Sequence, residues 1–359
     1  MFRQLSQLGL VLCLAAVIVV AQDKQKEKWI PPPTPKPAPK ASPTKETKVW
    51  TAPAKPMPLR NYNGDGITSE KAIAADPGVA IKLCISDGDV KVNGSERNEL
   101  RVFVRNGRKF EFRSLEKNES GKANWVWLTR ASSGEAVLPG QFSNCLSGES
   151  IEIDMPLKGS ITVEGRSGTV SVDTVSKATV KLIEGDISVR NVYAGLDART
   201  EQGELFAENI GGDISLETTT GNIVAFDLRS ERPGDPLRVK TLKGTISLQK
   251  ITHRQIDASA LSGAVNYVGN FLGGGIYKFR SASGRIGLLL PDDVNCKVSA
   301  SYGFGSFDSS FPLKILTEDK TSGGRNLVAT LGAGSGPTVM LSTTSGVIRL
   351  RKQGQADLP

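Results

Sequence analysis

Residues 178–226 of the chain read ATVKLIEGDISVRNVYAGLDARTEQGELFAENIGGDISLETTTGNIVAF, and they hold almost three copies of one β repeat. Each copy alternates apolar and polar residues, reaches a glycine, and then alternates again. Alternation with a period of two places the apolar side chains on one face of a strand. The glycine interrupts the alternation each time and predicts a tight turn between two short strands.

The same pattern recurs ten times between residues 81 and 350, and at the ninth copy its second half departs from the pattern. The turn glycines are Gly88, Gly168, Gly185, Gly203, Gly221, Gly244, Gly263, Gly284, Gly303 and Gly346. From the second to the ninth copy the glycines are 17 to 23 residues apart, and each step holds two short strands.

A near-constant step indicates stacked units that bury one continuous apolar core. The sequence therefore predicts an all-β solenoid or β-roll built from repeats of about 18–21 residues. The alternative is an antiparallel meander or sandwich of hairpins, in which 201–203 and its copies are hairpin turns. The small variation in the step favours the solenoid.

The N-terminal 60 residues differ in composition from the repeats. Residues 1–21 resemble a secretory signal, with Arg3, an apolar run over 8–20 and small residues before Gln22; a retained membrane anchor is the alternative. Residues 22–60 contain ten of the 19 prolines and predict an extended, unpacked linker. We assign 61–150 to an N-terminal β region with a hairpin, 151–352 to the repeats and 353–359 to a tail.

The net charge of +8 comes mainly from the linker, which carries nine Lys/Arg and three acidic residues. From residue 61 onward, 35 basic residues face 34 acidic ones. The basic linker suits contact with an anionic wall or membrane surface, and a soluble spacer is the alternative. The outward positions of the strands mix both charge signs, so we expect no nucleic-acid partner.

Three cysteines remain after the signal. A disulfide between Cys84 and Cys145 suits an exported chain. Cys296 occupies an inward repeat position, and we interpret it as a small core residue.

The front region contains three short motifs. Asn61, Asn63 and Asp65 lie in a calcium-like loop, but the following apolar residue and the closing acid are displaced, so a polar turn is favoured and no metal is assigned. The segment 105–108 contains Asn-Gly between alternating runs and predicts a hairpin. Trp125 and Trp127 share one face of a strand, where a core or capping role is favoured over a platform for sugar rings.

We find no catalytic constellation in the sequence. His253 is the single histidine and is expected at the surface. The pair Asp292–Asp293 follows a proline and predicts a turn. A β-helix enzyme that acts on glycans needs acids clustered on one outer face, whereas the outward charged residues are interspersed with Ser and Thr. These residues are Asp173, Asp186, Arg190, Asp197, Arg199 and Glu217.

The repeats resemble a bacterial putative-adhesin domain family of unknown function. Residues 87–92 with 99–102 look like its opening, the Gly-Asp-Ile-Ser strands at Gly185 and Gly212 look like its middle, and 290–293, 302–307 and 344–350 look like its end. The resemblance covers about residues 81–352. It implies surface or envelope display, and it supplies no catalytic residue or cofactor.

The sequence thus predicts an exported, non-enzymatic protein of the periplasm, cell surface or extracellular space, with a structural or adhesive role. Its expected partner is an envelope polymer, a glycan or a protein. A glycan-active β-helix enzyme and a regulatory or sensor module are the alternatives.

Overall fold

The computed structural model describes residues 67–131, 145–321, 323–334 and 336–354, and these ranges contain 25 β-strands. No helix that could cross a membrane occurs among these residues. The strands are β1 Ile67–Ser95, β2 Glu99–Gly107, β3 Phe110–Lys117, β4 Ala123–Arg130, β5 Leu146–Pro156, β6 Ser160–Ser167, β7 Val170–Val175, β8 Lys177–Glu184, β9 Ile187–Val192, β10 Leu196–Gln202, β11 Leu205–Gly211, β12 Ile214–Thr220, β13 Ile223–Arg229, β14 Pro236–Lys243, β15 Ile246–Thr252, β16 Gln255–Ser262, β17 Val265–Val268, β18 Ile276–Ser283, β19 Arg285–Leu290, β20 Cys296–Tyr302, β21 Ser306–Ser309, β22 Lys314–Thr321, β23 Gly324–Leu331, β24 Thr338–Thr343 and β25 Val347–Lys352.

Between β6 and β19, strands two places apart along the chain pair in parallel. Leu196, for example, lies between Ala178 and Ile214. The even-numbered strands of this stretch form one stack, here called sheet one, and the odd-numbered strands form sheet two. One repeat is therefore one coil with a strand in each sheet. The solenoid prediction is confirmed, and the antiparallel meander is wrong for the body of the repeats.

The inward rows of the two sheets form one core along the stack. In the middle coils this core consists of small and branched aliphatic residues, because the alternation of each copy points Ile, Val, Leu and Ala inward. Near β17 and β18 it becomes aromatic. There the rings of Tyr267 and Phe271 stack 5.3 Å apart, and Tyr277 and Phe279 are fully buried.

The turn glycines stack on one another at the corner between the two sheets. At each position except Gly148, which begins the stack, a Cβ would overlap the carbonyl oxygen of the glycine in the neighbouring coil. In spatial order the stack contains Gly148, Gly88, Gly168, Gly185, Gly203, Gly221, Gly244, Gly263, Gly284, Gly346 and Gly305. Gly303 was predicted for the ninth turn, and this is wrong: it lies beside the Thr344 carbonyl, and Gly305 takes the position in the stack.

A second corner lies near the end of each strand of sheet two in the middle coils. One residue per coil there has positive φ without being glycine: Thr174, Asn191, Asn209, Asp227 and Lys250. This residue is one more than the two-residue alternation requires. The buried positions on either side of it, such as Val189 and Val192, are therefore three residues apart instead of two. Asn and Asp tolerate this conformation better than most residues. The Asn191 amide donates to Asp173 (2.7 Å), and the Asn209 amide donates to Asn191 (2.6 Å).

Both ends of the solenoid are interleaved, so that spatial order differs from chain order. The middle of β1 lies between β4 and β6 in sheet one, and its last part lies between β5 and β7 in sheet two. At the other end, β24 lies between β18 and β20, and β25 lies between β19 and β21. The first and last strands are thus bonded on both sides, and the front region shares its sheets with the repeats.

Antiparallel strands cover each end. At the N-terminal end, β2 pairs with the first part of β1 and with β5, whereas β3 pairs with β4. The prediction of a hairpin at 105–108 is therefore wrong. At this point the chain passes from sheet two to sheet one, and β2 and β3 pair with other strands and not with each other. The hairpin of this region joins β3 and β4, and the Asn118 side chain accepts hydrogen bonds from Ser120 N and Lys122 N in its turn. At the C-terminal end, β23 pairs with β20 and β22 pairs with β23, so both strands extend sheet one. Phe311, in the segment that joins β21 to β22, is buried.

A buried hydroxyl supports the glycine corner in four coils. Thr218 Oγ1 donates to the Gly203 carbonyl oxygen at 3.0 Å, and Thr200, Thr241 and Ser281 make the same contact in their own coils. The hydroxyl supplies a hydrogen-bond partner to this partly buried carbonyl.

We expect Thr218→Val to lower the free energy of unfolding by about 1 to 2 kcal/mol, because it keeps the side-chain shape and removes the donor to a buried carbonyl. Thr219→Val is the matched control, since Thr219 is exposed and shares the strand. Its effect should stay within about 0.5 kcal/mol. Urea unfolding of both variants measures the difference, and equal effects would contradict a role for the hydroxyl.

Candidate functional site

The outward face of sheet one is a lattice of charged side chains. In its middle, Arg199 contacts both Asp197 (3.0 Å) and Glu217 (3.6 Å), and Lys240 contacts Glu217 at 3.1 Å. The hydrogen bond that Arg199 donates to the Asp197 carboxylate raises the pKa of Arg199 above its ordinary value. These pairs are well exposed, so each contributes little to stability. These ion pairs instead determine the pattern of charge on the outward face of sheet one.

In the middle coils, the outward face of sheet two differs from that of sheet one by carrying aromatic rings. Phe206 and Phe226 lie on neighbouring strands, β11 and β13, and both are half-buried. The guanidinium of Arg190 lies 5.2 Å from the Phe206 ring centre, and Lys250 Nζ lies 4.7 Å from that of Phe226. The cations shield the apolar rings from solvent and gain a favourable electrostatic contact.

The structure brings Cys84 and Cys145 together in a disulfide, with their Cα atoms 4.7 Å apart. Cys84 lies in β1 and Cys145 directly precedes β5, so the bridge links the interleaved strand to the terminal coil. Cys296 is buried in the core without a disulfide partner, and burial raises the pKa of its thiol to about 12. The calcium-loop residues Asn61, Asn63 and Asp65 lie outside the described residues.

His253 is fully buried, so its predicted surface position is wrong. It lies between β15 and β16, and its Nε2 donates a hydrogen bond of 3.0 Å to the Gly212 carbonyl oxygen, which lies two coils away between β11 and β12. Burial lowers the pKa of the imidazole below its usual 6.5, although the Gly212 carbonyl, Asp235 and Asp213 favour the charged form. This histidine is a neutral residue that packs inside the turn between β15 and β16.

The free energy of unfolding is expected to fall as the pH drops below about 6.5. The folded-state pKa of His253 is depressed, so the unfolded chain binds a proton before the folded chain does. The loss reaches at most about 1.4 kcal/mol per pH unit. Urea unfolding at several pH values from 7.5 to 5.5 should show a steeper decline for the native chain than for His253→Gln. Parallel declines would contradict this, since the chain has one histidine.

Trp125 and Trp127 lie on the outward side of β4 and are half-buried. Trp125 is level with Ala80 of β1 and Trp127 with Lys82. They therefore do not belong to the solenoid core, and they sit in the coil next to the N-terminal end.

The carboxylates of the outward faces that were candidates for catalysis are engaged by neighbouring cations, amides or backbone N–H groups. Asp197 and Glu217 share Arg199, Asp173 accepts from Asn191, and the Asp186 carboxylate accepts from Glu204 N at 2.8 Å. Asp292 and Asp293 lie in a turn, as predicted. Within the described ranges, no three His, Cys, Asp or Glu side chains are grouped so as to hold a metal ion.

These features define a parallel β-solenoid with two outer strand faces and a corner of stacked glycines. Residues 78–351 match the family described as Toastrack DUF4097, and the chain belongs to this family. No curated protein matches the chain significantly.

Two crystal structures are similar to it. One, described as a putative cell adhesion protein from Clostridium sporogenes, has 11% identity and a TM-score of 0.20 over 80% of this chain and 100% of that chain. The other, described as a putative adhesin from Bacteroides fragilis, has 11% identity and a TM-score of 0.31 over 79% of this chain and 97% of that chain.

Proposed function

We propose that this chain is an exported, non-enzymatic surface or envelope protein whose solenoid serves as a structural or adhesive binding module. The observation that carries the proposal is the architecture of the described surface. Two strand stacks run the length of the repeats, and each presents a face of regularly spaced side chains.

The chemistry of these faces suits binding better than catalysis. The acids at the centre of sheet one are engaged by Arg199 and Lys240. A general acid or base needs a carboxyl or imidazole that is free to exchange a proton with its substrate, and His253 is buried in a corner. A repeating surface instead provides many weak contacts at once, and such contacts add up on a polymeric partner.

A capture experiment tests the proposal. The full chain and a chain beginning at residue 61 are mixed with separated envelope fractions: wall polymer, outer lipid and membrane proteins. We expect both chains to retain the same component, because the solenoid faces are present in both. Binding that disappears without residues 22–60 and fades with added salt would assign the contact to the basic linker. Failure of both chains to retain any fraction would contradict the adhesive role.

A further inference from the structure

The charges of the solenoid are separated along its axis. Residues 145–222, from β5 to β12, contain 13 acidic and 6 basic residues, a net charge of −7. Residues 223–354, from β13 to β25, contain 9 acidic and 17 basic residues, a net charge of +8. The near-neutral total of the folded part therefore hides an acidic stretch followed by a basic one.

Part of the positive charge is concentrated on the outward face of sheet one near the C-terminal end. There the strands lie in the spatial order β18, β24, β20, β23 and β22. Lys278 projects from β18, Lys297 from β20 and Lys314 from β22. Lys297 and Lys314 both lie level with Thr330 of β23, so they are about 10 Å apart across two strand spacings. Lys278 lies two strands away from Lys297 on the other side.

Among the described residues, these three lysines have no ion-pair partner. The nearby acid of β16, Asp257, is already held by Arg280 through two hydrogen bonds of 2.6 and 2.7 Å. In the acidic half of the same sheet, Arg199 is paired with two carboxylates, and acidic residues outnumber basic ones. The basic half thus presents ammonium groups that are available to an external anion.

The surface between the lysines is polar, with two exposed aliphatic side chains. β24 and β20 place Thr338, Ser342, Ser299 and Ser301 outward, and Ile276 and Met340 are 44% and 41% exposed. Hydroxyl groups can donate to and accept from sugar hydroxyls, and the aliphatic groups can cover the apolar face of a sugar ring. The outward positions of β18, β24, β20 and β23 include no aromatic residue, whereas single-stranded nucleic acids are bound largely by aromatic stacking.

We propose that this face, from β18 to β22, binds an anionic polysaccharide whose carboxylate groups contact Lys278, Lys297 and Lys314. The charge of the lysines complements the polymer, and the hydroxyl-rich surface between them contacts the sugar units. This inference rests on the proposed function, because it names the partner class of the adhesive surface. It assigns binding to the folded domain and not to the basic linker.

The test uses the full chain with polygalacturonate as the anionic polysaccharide, dextran as the neutral one and duplex DNA as a different polyanion. The test variant combines Lys278→Gln, Lys297→Gln and Lys314→Gln. The matched control combines Lys158→Gln, Lys177→Gln and Lys181→Gln, which removes the same charge from exposed positions of the acidic half. Both variants keep the linker, and circular dichroism confirms that both are folded.

We expect the native chain to bind polygalacturonate and not dextran. The test variant should bind at least tenfold more weakly, and the control within twofold of the native chain. The slope of log affinity against log salt should fall by about 2 for the test variant, because fewer counterions are released. Equal losses in the two variants would overturn the proposal by assigning the effect to net charge.

Two further outcomes would also overturn it. Tighter binding of DNA through the same lysines would contradict the partner class. A native chain that retains an envelope fraction but does not bind polygalacturonate would refute this inference and leave the proposed function standing. If the native chain binds neither an envelope fraction nor polygalacturonate, both this inference and the proposed function are refuted.

Discussion

Gly221→Ala should lower the free energy of unfolding by about 3 to 5 kcal/mol, the largest effect expected for any single substitution in the middle of the solenoid. Gly221 has a φ of +152°, a region that residues with a Cβ rarely adopt, and its Cβ would overlap the Gly203 carbonyl oxygen. The backbone strain costs about 1 to 3 kcal/mol. Forcing neighbouring coils apart adds a similar amount.

Three other glycines separate the two causes. Gly284 has no positive φ but would place its Cβ against the Gly263 carbonyl, so Gly284→Ala tests the overlap alone. Gly234 has a φ of +99° and open space, so Gly234→Ala tests the backbone alone. Gly273 has neither restriction, and Gly273→Ala should be nearly neutral. Chemical unfolding of the four variants should rank Gly221 as most affected and Gly273 as least, and a Gly221 variant as stable as the Gly273 variant would contradict the stacked corner.

Removal of the disulfide by Cys84→Ser with Cys145→Ser should have the second-largest effect. The two cysteines are 61 residues apart. A closed loop of that length is expected to stabilise the folded state by about 4 kcal/mol, through the entropy of the unfolded chain. The bridge holds β1 against the coil that contains β4 and β5, so this end of the solenoid should unfold first in the double variant.

Guanidinium unfolding followed by tryptophan fluorescence measures the effect, since Trp125 and Trp127 lie in β4. A reducing agent provides the control, because it should destabilise the native chain and leave the double variant unchanged. A native chain that is insensitive to reduction, or that shows free thiols at both positions by mass spectrometry, would contradict the bridge.

The body of the fold could be predicted from sequence because the repeat pattern determines how the strands of successive copies are aligned. Each copy specifies which side chains point inward, and a near-constant step between glycines places equivalent residues above one another. The inward residues of the first copy, such as Ile81 and Leu83, and of the last, such as Val339 and Leu341, are buried as the alternation predicts.

The interleaved ends could not be predicted, because the pattern of one copy does not specify its neighbours. β1 reads as an ordinary first copy, yet two of its parallel neighbours are β4 and β6. The same limitation explains the error at the ninth turn, where Gly303 and Gly305 lie two residues apart and either suits a turn. Gly305 occupies the position in the stack because it lies against Gly346, which belongs to the coil of β24 and β25. The sequence of the ninth copy alone does not show this contact.

Other features left signals in the sequence that alternation alone does not use. The second corner follows from apolar residues three apart with Asn or Asp between them, as in Val189-Arg190-Asn191-Val192. The burial of His253 depends on space beside Gly212 in another coil, which has no local signature. The separation of charge can be counted from the sequence, but only the strand order shows that Lys278, Lys297 and Lys314 share a face.

The central claim is that the folded faces bind the partner, and Gly221→Ala tests it most directly. This variant keeps the linker, the net charge and every charged side chain, and it removes the stacked corner. Retention of the envelope fraction is compared for the native chain and the variant at a temperature where circular dichroism shows only the variant unfolded. We predict at least a tenfold loss of binding. Undiminished binding by the unfolded variant would contradict the account, because the linker or the bare charge of the chain would then be sufficient.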